Sequence, residues 1–87
     1  MERDDILDLF RVLSEGYLAG EMQPAVFART VEGLISSNLD TVADLEDVSE
    51  QLVDYGMQGA VNPVDEADLR GVARRLIDLA AKETKGR

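Results

Sequence analysis

The chain has no cysteine, no histidine, few aromatic residues and, through its middle, no positive charge. Without cysteine there is no disulfide framework and no thiolate metal site. Without histidine the commonest general base and the commonest metal ligand are both missing. The aromatic set is Phe10, Tyr17, Phe27 and Tyr55 alone. A core must therefore be built from Leu, Val, Ile and Ala, which suits helices better than strands. No apolar run approaches membrane-spanning length, and the acidic start Met1-Glu2-Arg3-Asp4-Asp5 does not read as a signal peptide. The default expectation is a cytoplasmic protein without membrane attachment.

What is abundant is negative charge. The 87 residues carry a formal net charge of −9. From Thr30 to Leu69 there is no lysine or arginine, yet that stretch holds Glu32, Asp40, Asp44, Glu46, Asp47, Glu50, Asp54, Asp65, Glu66 and Asp68. Nucleic acid is a poor ligand for such a chain, because phosphate contact needs clustered Lys and Arg. A basic protein partner is the natural complement, since negative surface steers and holds positive surface. Acidity for solubility alone is the competing explanation.

At this length one small domain is expected. Its polarity pattern predicts four helices. The first opens with Asp4 or Asp5 as cap, repeats Ile6, Leu9, Phe10, Leu13 and Tyr17 at helical spacing, is weakened by Gly16 and stops at Gly20. The second places Pro24 in its first turn, carries Phe27, Val31, Leu34 and Ile35 inward, and ends at Ser36-Ser37-Asn38. The third is expected from Asp40-Thr41, with the stripe Val42, Leu45, Val48, Leu52 and Tyr55, dissolving at Gly56 and Gly59. After a turn at Asn62-Pro63, Asp65 caps a fourth helix with the stripe Leu69, Val72, Ala73, Leu76, Ile77 and Ala80. Arg74, Arg75, Lys82 and Lys85 give its end the sign that complements the helix dipole. Residues from Thr84 to Arg87 are expected to fray. Four amphipathic helices with short connections imply an all-α fold, most simply an antiparallel four-helix bundle over residues 1–87.

Catalysis is a weak fit. The carboxylates fall on polar helix faces, where nothing drives their pKa values apart. Ser14, Ser36, Ser37 and Ser49 have no histidine to activate them, and no phosphate-binding glycine loop or calcium loop is present. An acyl carrier would need an Asp-Ser pair at a helix head; the comparable stretch is Asn38-Leu39-Asp40-Thr41. The expectation is a non-enzyme with no cofactor and no metal.

The third helix has the sharpest local signal. Glu46, Glu50 and Asp54 stack one turn apart with Asp47 beside them, opposite the stripe centred on Leu45 and Leu52. Like charges at this spacing destabilise a helix by a few tenths of a kcal/mol per pair, roughly, and a surface kept for solubility would intersperse lysines. Asp65, Glu66 and Asp68 form a second group, which capping, the dipole and a Glu66–Arg70 pair account for structurally. Between the groups runs the uncharged stretch Gly56 to Asn62. There Met57 and Gln58 offer adaptable contacts, and neighbouring Tyr55 offers an apolar anchor or a core residue.

Taken in order, three stretches resemble the bacteriocin self-immunity family of the colicin D type. They are Ile6-Leu7-Asp8-Leu9-Phe10 leading to Tyr17-Leu18-Ala19-Gly20, then Met22-Gln23-Pro24-Ala25-Val26-Phe27, then Val64-Asp65-Glu66-Ala67-Asp68-Leu69-Arg70. The resemblance implies an antiparallel bundle that binds the basic, tRNase-like nuclease domain of a cognate toxin, its acids standing in for tRNA phosphates. One departure is the neutral run from Met57 to Val64, where the family tends to place acids. The partner-binding residues expected are Glu46, Asp47, Glu50, Asp54, Tyr55, Met57, Asp65, Glu66 and Asp68, on a chain that is monomeric when free. The alternative is an acidic helical adaptor or regulatory subunit acting through an apolar arc of Val72, Leu76, Ile77, Leu79 and Ala80.

Overall fold

The computed structural model describes residues 2–55 and 65–84. These form helices α1 (Arg3–Leu18), α2 (Pro24–Ser37), α3 (Glu46–Val53) and α4 (Glu66–Thr84), with a 3-10 turn at Ala43–Leu45 leading into α3. The radius of gyration is 12.5 Å, close to the roughly 12 Å of a folded domain of this length.

Local chemistry explains most of the boundaries. The α1 cap is Glu2 rather than Asp4 or Asp5, and it acts through its backbone: Asp5 and Ile6 donate to the Glu2 carbonyl at 3.1 Å. Asp4 and Asp5 occupy the first turn, where the dipole favours them. At the other end Gly20 adopts φ 82°, Glu21 N–H donates to Gly16 O at 2.9 Å and Gly20 N–H to Tyr17 O at 3.0 Å. That pair of bonds is a Schellman cap, which needs the left-handed residue that glycine supplies. Pro24 opens α2 at a position that has no use for an N–H. Asn38 closes α2, its side-chain amide donating to Leu34 O at 2.8 Å.

The third helix is shorter than its stripe predicts. Neither Asp40 nor Thr41 caps it. Thr41 and Val42 instead turn back, both donating to Asn38 O at 2.9 Å, and Leu45 donates to Val42 O at 2.9 Å. Only from Glu46 does α-helical geometry begin, with no side-chain cap. Val42 and Leu45 are still fully buried, because a step of three residues keeps one side in 3-10 geometry too. The helix ends at Val53, ahead of the glycines; Gly56, Gly59 and the Asn62-Pro63 turn lie outside the described residues. Of the stretch Thr84 to Arg87 expected to fray, only Thr84 is described, as the last residue of α4.

α1 packs mainly on α4 and α2 mainly on α3, with α1 also touching α2. The core joins Ile6, Leu7, Phe10, Phe27, Val31, Ile35, Val48, Leu69 and Leu76, all essentially inaccessible. Truncating Phe10 or Phe27 to alanine would cost about 3–5 kcal/mol, a large part of what holds a small domain together. The Tyr17 and Phe27 rings stack at 4.7 Å and 13°, clasping the α1–α2 turn. Leu9, expected inward, is 38% exposed, and Leu7 takes the core position instead.

Arg3 locks the ends of the chain. Its Nε and Nη2 donate to Glu83 at 2.9 and 2.7 Å, Nη1 and Nη2 to Asp44 at 2.8 and 2.9 Å, and Nη1 also to Thr41 O at 3.0 Å. Each guanidinium nitrogen is thereby engaged, and the start of α1, the turn before α3 and the end of α4 become one unit. No described helix is long and apolar enough to cross a membrane.

Candidate interaction surface

α3 positions the acidic strip, and its neighbours divide that strip in two. At about 100° per residue, Asp47 turns toward α4, where Arg75 donates to it at 2.9 and 3.5 Å. That hydrogen bond holds the Asp47 carboxyl below its ordinary range. Asp47 is therefore part of an interhelical ion pair, a correction to its expected place in an uncompensated strip. The sequence pattern missed it because its partner lies 28 residues away, far outside any helical repeat.

Glu46 and Glu50 are exposed further round the polar face of α3, and Asp54 is half-buried at its end. Among the described residues none of the three has an ion-pair partner. Glu46, Glu50 and Val53 follow one another at steps of four and three, so they form one ridge along the helix. Val53 is 46% exposed, an apolar end to an acidic ridge.

That ridge borders a cleft of about 210 Å³ between α2 and α3. Its floor is Ala28 and Leu52, both buried, and its walls are Ala25, Val53 and half-buried Tyr55. The α2 lip holds Arg29 and Glu32, one positive and one negative, with Glu32 accepting from the Ser36 hydroxyl at 2.7 Å. The cleft was not foreseen. Its signal was present in Ala25, Ala28, Arg29 and Glu32, spaced as one helical face with two small residues that leave room above the core.

The second acidic group is chiefly a cap. Asp68 N–H donates to Asp65 Oδ1 at 2.9 Å, and Asp68 Oδ2 accepts from Asp65 N–H at 3.3 Å, a reciprocal capping box. Glu66 stands 3.9 Å from Arg70. These residues border a wider basin of about 450 Å³ at the α1–α2 turn, where Glu21 and Glu66 face Arg70 beside Tyr17. Burial raises the Tyr17 hydroxyl above its ordinary pKa, and the negative charge of Glu66 adds to the shift. The mixed signs give this basin no single polarity. Met57, expected at the interface, lies outside the described residues.

The apolar arc proposed for an adaptor is largely enclosed. Val72, Leu76 and Ala80 are buried and Leu79 packs against the same core, while Ile77 is half-buried, so most of the arc is used inside the fold. Among the described residues no group of three or more acidic side chains is disposed to hold a metal ion. No protein-family model, curated protein or solved structure matches the chain.

Proposed function

We propose that this chain is an acidic helical inhibitor that binds the basic nuclease domain of a cognate toxin and neutralises it. One observation carries the reading. Asp44, Asp47 and Glu83 have arginine partners inside the fold, whereas Glu46 and Glu50 stand exposed on one ridge without any among the described residues. Among the described residues Glu2, Asp5, Glu21, Asp40 and Asp78 are also exposed without an ion pair. Glu46 and Glu50, however, stand one turn apart on one helix within the stretch that has no lysine or arginine, which disposes them toward cations on another molecule. Their role would be charge-assisted hydrogen bonding to the Lys and Arg that otherwise hold RNA phosphate, with Asp54 extending the surface.

The immunity-family resemblance supplies the class of partner and, with it, the finer architecture of an antiparallel four-helix bundle. Arg3 at the start of α1 bonding Glu83 near the end of α4 supports that direction for one helix pair. The same reading describes a cytoplasmic monomer that acts by occlusion and performs no chemistry of its own.

The experiment begins with the reading frames beside this one. The basic domain encoded there is purified and assayed for tRNA cleavage with and without an equimolar amount of this chain. Stoichiometric loss of cleavage is expected. Neighbouring frames without a basic nuclease domain, or cleavage unaffected by the chain, would overturn the reading.

A further inference from the structure

We infer that the α2–α3 cleft is the apolar half of the docking surface and receives one large aliphatic or aromatic side chain from a basic partner segment. The inference rests on the inhibitor reading and adds to it where the partner seats and what its contact residues must be. The cleft volume of about 210 Å³ is smaller than the roughly 300–1,000 Å³ of small-molecule sites, which fits a single inserted side chain better than a free ligand. Its lining is apolar at the bottom and sides, and Val53 is left 46% exposed in its wall.

Charge decides the chemistry of the occupant. The α2 lip is balanced, with Arg29 one turn from Glu32. The α3 side of the cleft is apolar, Leu52 and Val53, and the ridge that carries Val53 continues beyond the cleft into the exposed acids Glu50 and Glu46. A segment with an apolar residue flanked by Lys or Arg can therefore seat its apolar residue between the helices and lay its cations over α3. Interfaces commonly join an apolar anchor in a pocket to a polar rim in this way. The opposite arrangement, an acidic segment, would run over the Glu46–Glu50 ridge beside the cleft and be repelled.

The test uses two synthetic peptides, both lysine-flanked, one with a central phenylalanine and one with alanine there, titrated into ¹⁵N-labelled protein at low salt. The phenylalanine peptide is expected to bind about tenfold more tightly, a factor equal to about 1.4 kcal/mol. It should shift the amides of Ala28, Leu52 and Val53, while the alanine peptide shifts mainly Glu46 and Glu50. Ala25→Trp, at an exposed wall position, should erase the difference by filling the cleft, and Val53→Ser should reduce it. Equal affinity of the two peptides would overturn the cleft assignment and leave the acidic-surface reading standing. Failure of both peptides to bind the ridge at low salt would overturn both.

Discussion

Arg3 and Glu83 stand 80 residues apart in the chain and are joined by two hydrogen bonds, of 2.9 and 2.7 Å. The same guanidinium holds Asp44 through two more. Replacing Arg3 by methionine keeps the stem and removes all of them. A loss of about 1–3 kcal/mol is expected from a charged, multiply bonded group of this kind, read by urea denaturation. Arg3→Lys should recover only part, because an ammonium cannot fork between two carboxylates. Full recovery by lysine would show that charge alone, and not the fork, matters.

The same clip sets a pH dependence. Hydrogen bonds from Arg3 hold the carboxyls of Asp44 and Glu83 below their ordinary range. With folded values below unfolded ones, the stabilisation is complete only above about pH 6, where the unfolded groups are fully ionised. It is lost as pH falls through the lower folded values. The difference in melting temperature between the natural chain and Arg3→Met should thus be widest near neutrality and close in acid. A gap that widens in acid would contradict the linkage.

Two buried hydroxyls have no hydrogen-bond partner among the described residues, those of Ser14 and Tyr17. Ser14→Ala removes a desolvated polar atom with almost no change of volume. It should leave stability unchanged or raise it by up to about 1 kcal/mol. A clear loss in the same urea titration would mean that the hydroxyl is bonded after all.

The Asp47–Arg75 pair is exposed on both sides, with side chains 64% and 48% accessible. Asp47→Asn should therefore cost at most about 0.5–1 kcal/mol. It should also affect partner binding less than Glu50→Gln, since Arg75 already occupies Asp47. Binding by calorimetry compares the two variants directly, and a larger effect of Asp47→Asn would reassign the contact surface.

Much of this fold was legible in the chain itself. Gly20, Pro24 and Asp65 marked boundaries correctly because each acts through its own backbone or the next turn. The stripes of α2 and α4 found Phe27, Val31, Leu69 and Leu76 because helical periodicity is local. What escaped was long-range or depended on backbone geometry: the clip on Arg3, the pairing of Asp47 with Arg75, and the turn that starts α3 late at Glu46. Of the acidic strip, Glu46, Glu50 and Asp54 keep an unpaired ridge, whereas Asp47 belongs to the fold. The cleft beside them needed the three-dimensional meeting of Ala25 and Ala28 with Val53.

The central claim is that the unpaired ridge recruits a basic partner, and its most direct test is kinetic. The association rate of the neighbouring basic nuclease domain is measured by stopped flow at low and high salt, against the natural chain and against Glu46→Gln/Glu50→Gln/Asp54→Asn. At low salt the triple variant should associate at least about tenfold more slowly and lose most of its salt dependence, with its helical circular dichroism unchanged. An association rate equal to that of the natural chain at low salt would contradict the account.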